Sequence, residues 1–140
     1  MSVFARIRWG RVAVAVIAAE ALPILALVVV VFVYGFTDFS KQPDALTPEE
    51  FAPVAGTWVG PIGGFVATFL FGLWAARRAG ERPIAHGTAV GVGTALLDFS
   101  LGMLLGGAGD IHPVFILSNG GRILAGVLGG WLASRRRSTS

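Results

Sequence analysis

The sequence has no cysteine, which excludes disulfide bonds, thiolate chemistry and cysteine metal sites. It has only two histidines, His86 and His112, and the spans described below put them on opposite sides of a bilayer, where they cannot share a metal. No metal or other cofactor is expected. Charge is scarce as well. Charged residues make up 14% of the chain, against about 25% in ordinary soluble domains. There is one lysine, Lys41, and one tyrosine, Tyr34. What the chain does have is apolar surface. With 54% of its 140 residues hydrophobic and a mean hydropathy of +0.74, it is too apolar for a soluble domain of this size.

The net charge of +3 does not point to nucleic acid, because the basic residues sit at the ends of apolar runs instead of on one face. Crossing a hydrocarbon core of about 30 Å takes roughly 20 helical residues. Four runs meet that length: 12–36, 54–76, 84–105 and 114–133. The expected fold is therefore all-α, a single transmembrane domain forming an integral membrane four-helix bundle. The run after Arg11 has no small-residue cleavage site close behind it, so it reads as an uncleaved first span.

Orientation follows from the flanks. Arg6, Arg8 and Arg11 precede the first span, Arg77, Arg78 and Arg82 follow the second, and Arg135, Arg136 and Arg137 follow the fourth. The opposite side carries Lys41 beside Asp38, Asp44, Glu49, Glu50 and Asp110. This bias predicts both termini on the cytoplasmic side of the inner (cytoplasmic) membrane. Trp9, Trp74 and Trp131 near one boundary, with Tyr34 and Trp58 near the other, fit an aromatic belt. The outer loop, 37–53, contains Thr47-Pro48-Glu49-Glu50, a capping box with proline at the first helical position. It predicts a short outer helix from Pro48 that Pro53 ends or kinks before the second span.

The second span spaces Gly56, Gly60, Gly64, Thr68, Gly72 and Ala76 at four-residue intervals, a row that lets helix backbones approach closely. The fourth repeats it with Gly121, Ala125, Gly129 and Ala133, beside Ser118, Gly126 and Gly130. The twenty glycines are thus mostly for packing, within one chain or between copies; Gly91-x-Gly93, with no strand before it, is not a dinucleotide fingerprint. Partners implied are the lipid bilayer and either a homo-oligomer or another membrane protein.

Three ionisable residues fall inside the spans: Glu20, Asp98 and Arg122. Each costs roughly 2.5 to 3.5 kcal/mol at the bilayer centre and calls for a partner. At about 1.5 Å per residue, Asp98 lies about 10 Å and Arg122 about 12 Å from the outer boundary, while Glu20 lies some 6 Å deeper. The expected arrangement is Asp98 paired with Arg122, Glu20 as a looser partner, and one carboxyl, Glu20, holding a proton. Asn119 and Thr94 lie one turn from Arg122 and Asp98 respectively. The group is either an ion pair that sets helix register or a functional polar site. Pro23, one turn after Glu20, removes a backbone bond near residue 19.

Gly63-Gly64, the turn Arg77-Arg78-Ala79-Gly80, and His86-Gly87 with Val90-Gly91 resemble uncharacterised families of small glycine-rich bacterial four-span proteins. That resemblance implies topology and no activity. Ala19-Glu20 in a first span also resembles the small multidrug resistance transporters, in which a first-span glutamate couples protons to cationic substrates. The chain departs from them in its long outer loop, its charge bias, Asp98 and Arg122, and its lack of their aromatic third-span motif. No nucleophile with a base and no ligand cluster can be assembled, so no enzyme is expected. Two functions are: a non-enzymatic scaffold, accessory or assembly subunit packing through glycine faces, and a proton-linked small transporter or channel built on Glu20, Asp98 and Arg122.

Overall fold

The computed structural model describes residues 7–37, 41–106 and 113–135. Of the residues singled out above, Arg6, Asp38, Asp110, His112, Arg136 and Arg137 lie outside them. Four helices are present, α1 (Trp9–Phe36), α2 (Pro48–Ala79), α3 (Pro83–Gly106) and α4 (Pro113–Arg135), and no strand occurs among the described residues. Each helix is long and apolar enough to cross a membrane.

All four helices run past the expected spans, α2 most of all. It starts where the capping box places it: Thr47 Oγ1 accepts from the Glu50 N–H at 3.3 Å, and Glu50 Oε2 accepts from the Thr47 N–H at 2.9 Å. Pro53 does not end it, so the expected separate outer helix is the first turn and a half of one continuous α2. A proline removes a single ladder bond, here the one to the Glu49 carbonyl, and the turns on either side hold. The loop is correspondingly shorter than 37–53. Its end is pinned to α1 by Tyr34, whose hydroxyl donates to the Leu46 carbonyl at 2.9 Å and whose ring stacks on Phe51 at 3.9 Å.

The α2–α3 connection is three residues long. Gly80 takes φ +81° with ψ −51°, a positive-φ conformation that glycine adopts without steric cost, and Pro83 starts α3. Arg11 donates its guanidinium to the Arg78 carbonyl, covering an otherwise free acceptor at the end of α2. In cross-section the bundle is a rhombus: α2 and α3 meet across the short diagonal, each touches both α1 and α4, and α1 and α4 meet only marginally.

The interior is built from small residues. Ala15, Ala19, Ala67, Ala75, Ala76 and Ala125 are fully buried, while the largest fully buried side chains are His86, Val90, Thr68 and Thr94. Large apolar groups such as Ile17, Leu25, Phe32, Leu104 and Leu117 point outward. This inverts the water-soluble pattern and is the arrangement expected where an apolar medium surrounds the bundle and helices are held by close backbone approach.

The closest approach is between α3 and α4. A Cβ added to Gly126 would lie 2.7 Å from the Gly91 backbone, one on Gly87 would lie 2.7 Å from Gly130, and one on Gly130 would lie 2.8 Å from Ile84. Gly129 faces α2 as closely, 2.7 Å from the Leu73 nitrogen and the Phe69 carbonyl. Gly72 completes the junction, its added Cβ 3.3 Å from Gly126. Other members of the expected rows behave differently. Gly56 and Gly121 would meet only a side chain at 3.7 Å, and Gly60 would meet nothing within 4 Å.

Candidate functional site

Arg122 comes from α4, inside the row Arg122-Gly126-Gly130 whose backbone packs on α3. Its guanidinium reaches the bundle interior because α2 carries glycine at position 64: an added Cβ there would lie 2.8 to 2.9 Å from Nη2, Cζ and Nε. Gly64 is therefore the bed of the guanidinium and not a helix-to-helix contact. From this position Nη1 binds Glu20 Oε2 on α1, and Nη2 binds Asp98 Oδ1 on α3 at 3.2 Å. The pairing joins α4 to α1 across the long diagonal, where the two helices scarcely touch.

Arg122 is 2% exposed and Glu20 5%, whereas the Asp98 side chain keeps 20% of its surface. Asn119 holds Asp98 from the other side: its Nδ2 donates to Asp98 Oδ2 at 2.9 Å and to the Phe115 carbonyl at 3.0 Å. Among the described residues, two buried side-chain polar atoms have no hydrogen-bond partner, Arg122 Nε and Asn119 Oδ1. The three residues expected to meet do meet, and Asn119 joins them.

The expected ranking of partners is corrected. Glu20 is the closer and more enclosed partner of Arg122, and Asp98 is the outlying one. Depth along straight axes had made Asp98 the nearer; it takes no account of how far the long arginine side chain extends sideways past Gly64 toward α1. Thr94 is also placed differently. Its hydroxyl lies 3.1 Å from the Val90 carbonyl and 3.0 Å from that of Gly91, and it accepts from Thr68 Oγ1 at 3.4 Å. Thr68 and Thr94 form a buried link between α2 and α3, and no hydrogen bond joins Thr94 to the ion group.

A cleft of about 490 Å³ opens beside this group, between the first halves of α2 and α4. Asp98 and Arg122 are in its lining, with Thr57, Gly60 and Ser118 above them and Pro61, Val114 and Phe115 as apolar wall. From Val114 to Arg122 it follows α4 for about 12 Å. A second, shallower groove of about 350 Å³ shares Pro61, Val114 and Ser118 with it and runs between Phe65, Val66 and Leu117. A third hollow, between α1 and α2 beside Phe32 and Pro48, is almost wholly apolar and has no ionisable residue in its lining.

His86, in the first turn of α3, is fully buried. Its Nε2 accepts from the Arg8 N–H at 3.1 Å, which leaves Nδ1 to carry the proton it donates to the Arg82 carbonyl at 3.1 Å. It ties the start of α1 to the α2–α3 turn. Gly63 went unassigned as a contact too, and it forms the notch that receives Pro23 of α1, 3.2 Å from an added Cβ. A proline in one span and a glycine pair in the next are visible in the sequence; that they meet is not.

No cluster of three or more metal-ligating side chains occurs among the described residues. Comparison with family models, curated proteins and solved structures yields no match.

Proposed function

We propose that the chain is an integral membrane protein of the cytoplasmic membrane with both termini inside, and that it is a proton-linked small transporter built on Glu20, Asp98 and Arg122 whose solute binds in the cleft beside Asp98. The observation that carries this reading is the cleft whose lining includes the outlying carboxylate of a two-acid, one-base group. Two carboxylates against one guanidinium leave an excess negative charge in a low-dielectric interior, which a proton or a bound cation relieves. Asp98, the more accessible acid, is the one a solute in the cleft can reach, while Glu20 is held by Arg122.

The test is flux in liposomes containing the purified chain under an imposed pH gradient. Gradient-dependent flux or proton release that is lost in Asp98→Asn and kept in Thr88→Val, an α3 hydroxyl outside the cleft lining, supports the reading. Wild-type protein with neither, or Asp98→Asn with both intact, overturns it. Because the chain has no cysteine, single cysteines at Lys41 and Arg135 report orientation by labelling from each side.

The second reading is a scaffold or assembly subunit. Its support is Gly120, an exposed glycine of α4 where an added Cβ would meet nothing within 4 Å, which leaves that face open to a second copy or another membrane protein.

A further inference from the structure

We infer that the ligand of the α2–α4 cleft is an amphiphile with a primary ammonium head and a hydrocarbon tail, the head at Asp98 and the tail in the adjoining groove. This rests on the solute-binding reading above and names the class of solute.

The head follows from charge and hydrogen-bond inventory. Among the ionisable groups that meet here, Glu20 from α1, Asp98 from α3 and Arg122 from α4, the sum with all ionised is one negative charge, and α2 contributes none to the lining. The negative group that faces the cleft is Asp98. The Thr57 hydroxyl gives its proton to the Pro53 carbonyl at 3.0 Å, so toward the cleft it offers lone pairs only. A carboxylate and a hydroxyl oxygen in one lining suit a cation that brings several N–H donors, which a primary ammonium does and a quaternary one does not. Arg122, nine-tenths buried and part of the same lining, repels a second cation from going deeper and sets the head at the level of Asp98.

The tail follows from continuity. Pro61, Val114 and Ser118 line both the polar cleft and the shallow groove, so the two lie side by side and a tail leaving Asp98 crosses these three residues to reach the outer surface of the bundle. The groove between Phe65, Val66 and Leu117 is apolar and faces sideways, among residues that are exposed on the bundle's surface. A hydrocarbon chain lying there stays in the medium that surrounds the helices, so a ligand reaches Asp98 from the bilayer without passing through water.

The experiment is calorimetric titration of the full chain in maltoside micelles with dodecylammonium chloride, against dodecyltrimethylammonium, dodecanol and dodecyl sulfate. Loss of one charge-assisted hydrogen bond weakens binding by about tenfold. Saturable dodecylammonium binding, weakened about tenfold or more in Asp98→Asn, with the trimethyl, alcohol and sulfate forms all weaker, supports the inference. Shortening the tail lowers affinity in wild type and has less effect in Leu117→Trp, which narrows the groove from an exposed position. Equal binding by Asp98→Asn, equal binding of the trimethyl or sulfate form, or indifference to tail length overturns it. Absence of dodecylammonium binding, with Asp98-dependent flux still present, removes this ligand class and leaves the solute-binding reading in place; flux unchanged in Asp98→Asn removes both.

Discussion

The two halves of the bundle use the same four-residue spacing of small side chains to opposite ends. In the half near the α2–α3 turn, Gly72, Gly87, Gly126, Gly129 and Gly130 bring three backbones so close that a methyl group fits at none of the last four without displacing backbone. In the half near the starts of α2 and α4, Gly56 and Gly60 meet little or nothing and both line the cleft. Small residues thus permit contact but do not enforce it. Whether the space is filled depends on the angle between helices, and here Arg122 stands at the divide, with closed packing on one side and the cleft on the other.

The largest effect expected is at that divide. Arg122→Met leaves two buried carboxylates without a cation, a loss of about 3–5 kcal/mol, and thermal unfolding in detergent shows a collapse that Arg122→Met with Glu20→Gln and Asp98→Asn largely reverses. If the triple variant is no better than the single, the ion group is not what holds α1 to α4. Next comes a matched pair: Gly126→Ala loses about 1–3 kcal/mol through overpacking, whereas Gly60→Ala is neutral or gains up to about 1 kcal/mol from helix propensity. Equal losses at both sites erase the difference between the halves. Gly64→Ala tests the bed of the guanidinium: it loses stability in the wild type, and much less of it once Arg122 is replaced by Met, a coupling read by a double-mutant cycle. His86→Leu leaves the Arg8 N–H without its acceptor and loses about 1–1.5 kcal/mol, seen as faster amide exchange at the start of α1. The smallest change is Thr94→Val, about 0.6 kcal/mol for one hydroxyl link inside a helical membrane bundle.

Much of this architecture is written locally. Apolar run length yields four helices, and Thr47 with Glu50 places the start of α2 to the residue. Depth along the helix axis is local as well, and it brought Glu20, Asp98 and Arg122 within reach of one another. Sideways position is not local. These helices are apolar nearly all round, so no polar face tells which side turns inward, and neighbour order and rotation stay open until packing decides them. That is why Glu20 was ranked below Asp98, why Thr94 was assigned to the ion group and not to Thr68, and why Gly60 and Gly126 looked alike. Pro53 shows a different limit: a proline announces a missing donor, and only the turns around it decide whether the helix stops.

The tie between α1 and α4 has a consequence for how the protein is made. Of these four helices, Glu20 lies in the first to leave the ribosome and Asp98 in the third, but the cation that binds both arrives with the fourth. Of the four helices α1 is the most apolar and α4 the least, so the acid that must wait longest for its cation lies in the helix best suited to an apolar medium. Synthesis that stops before Arg122 leaves both acids unanswered in the chain, a defect that quality-control machinery can sense without reference to the protein's activity.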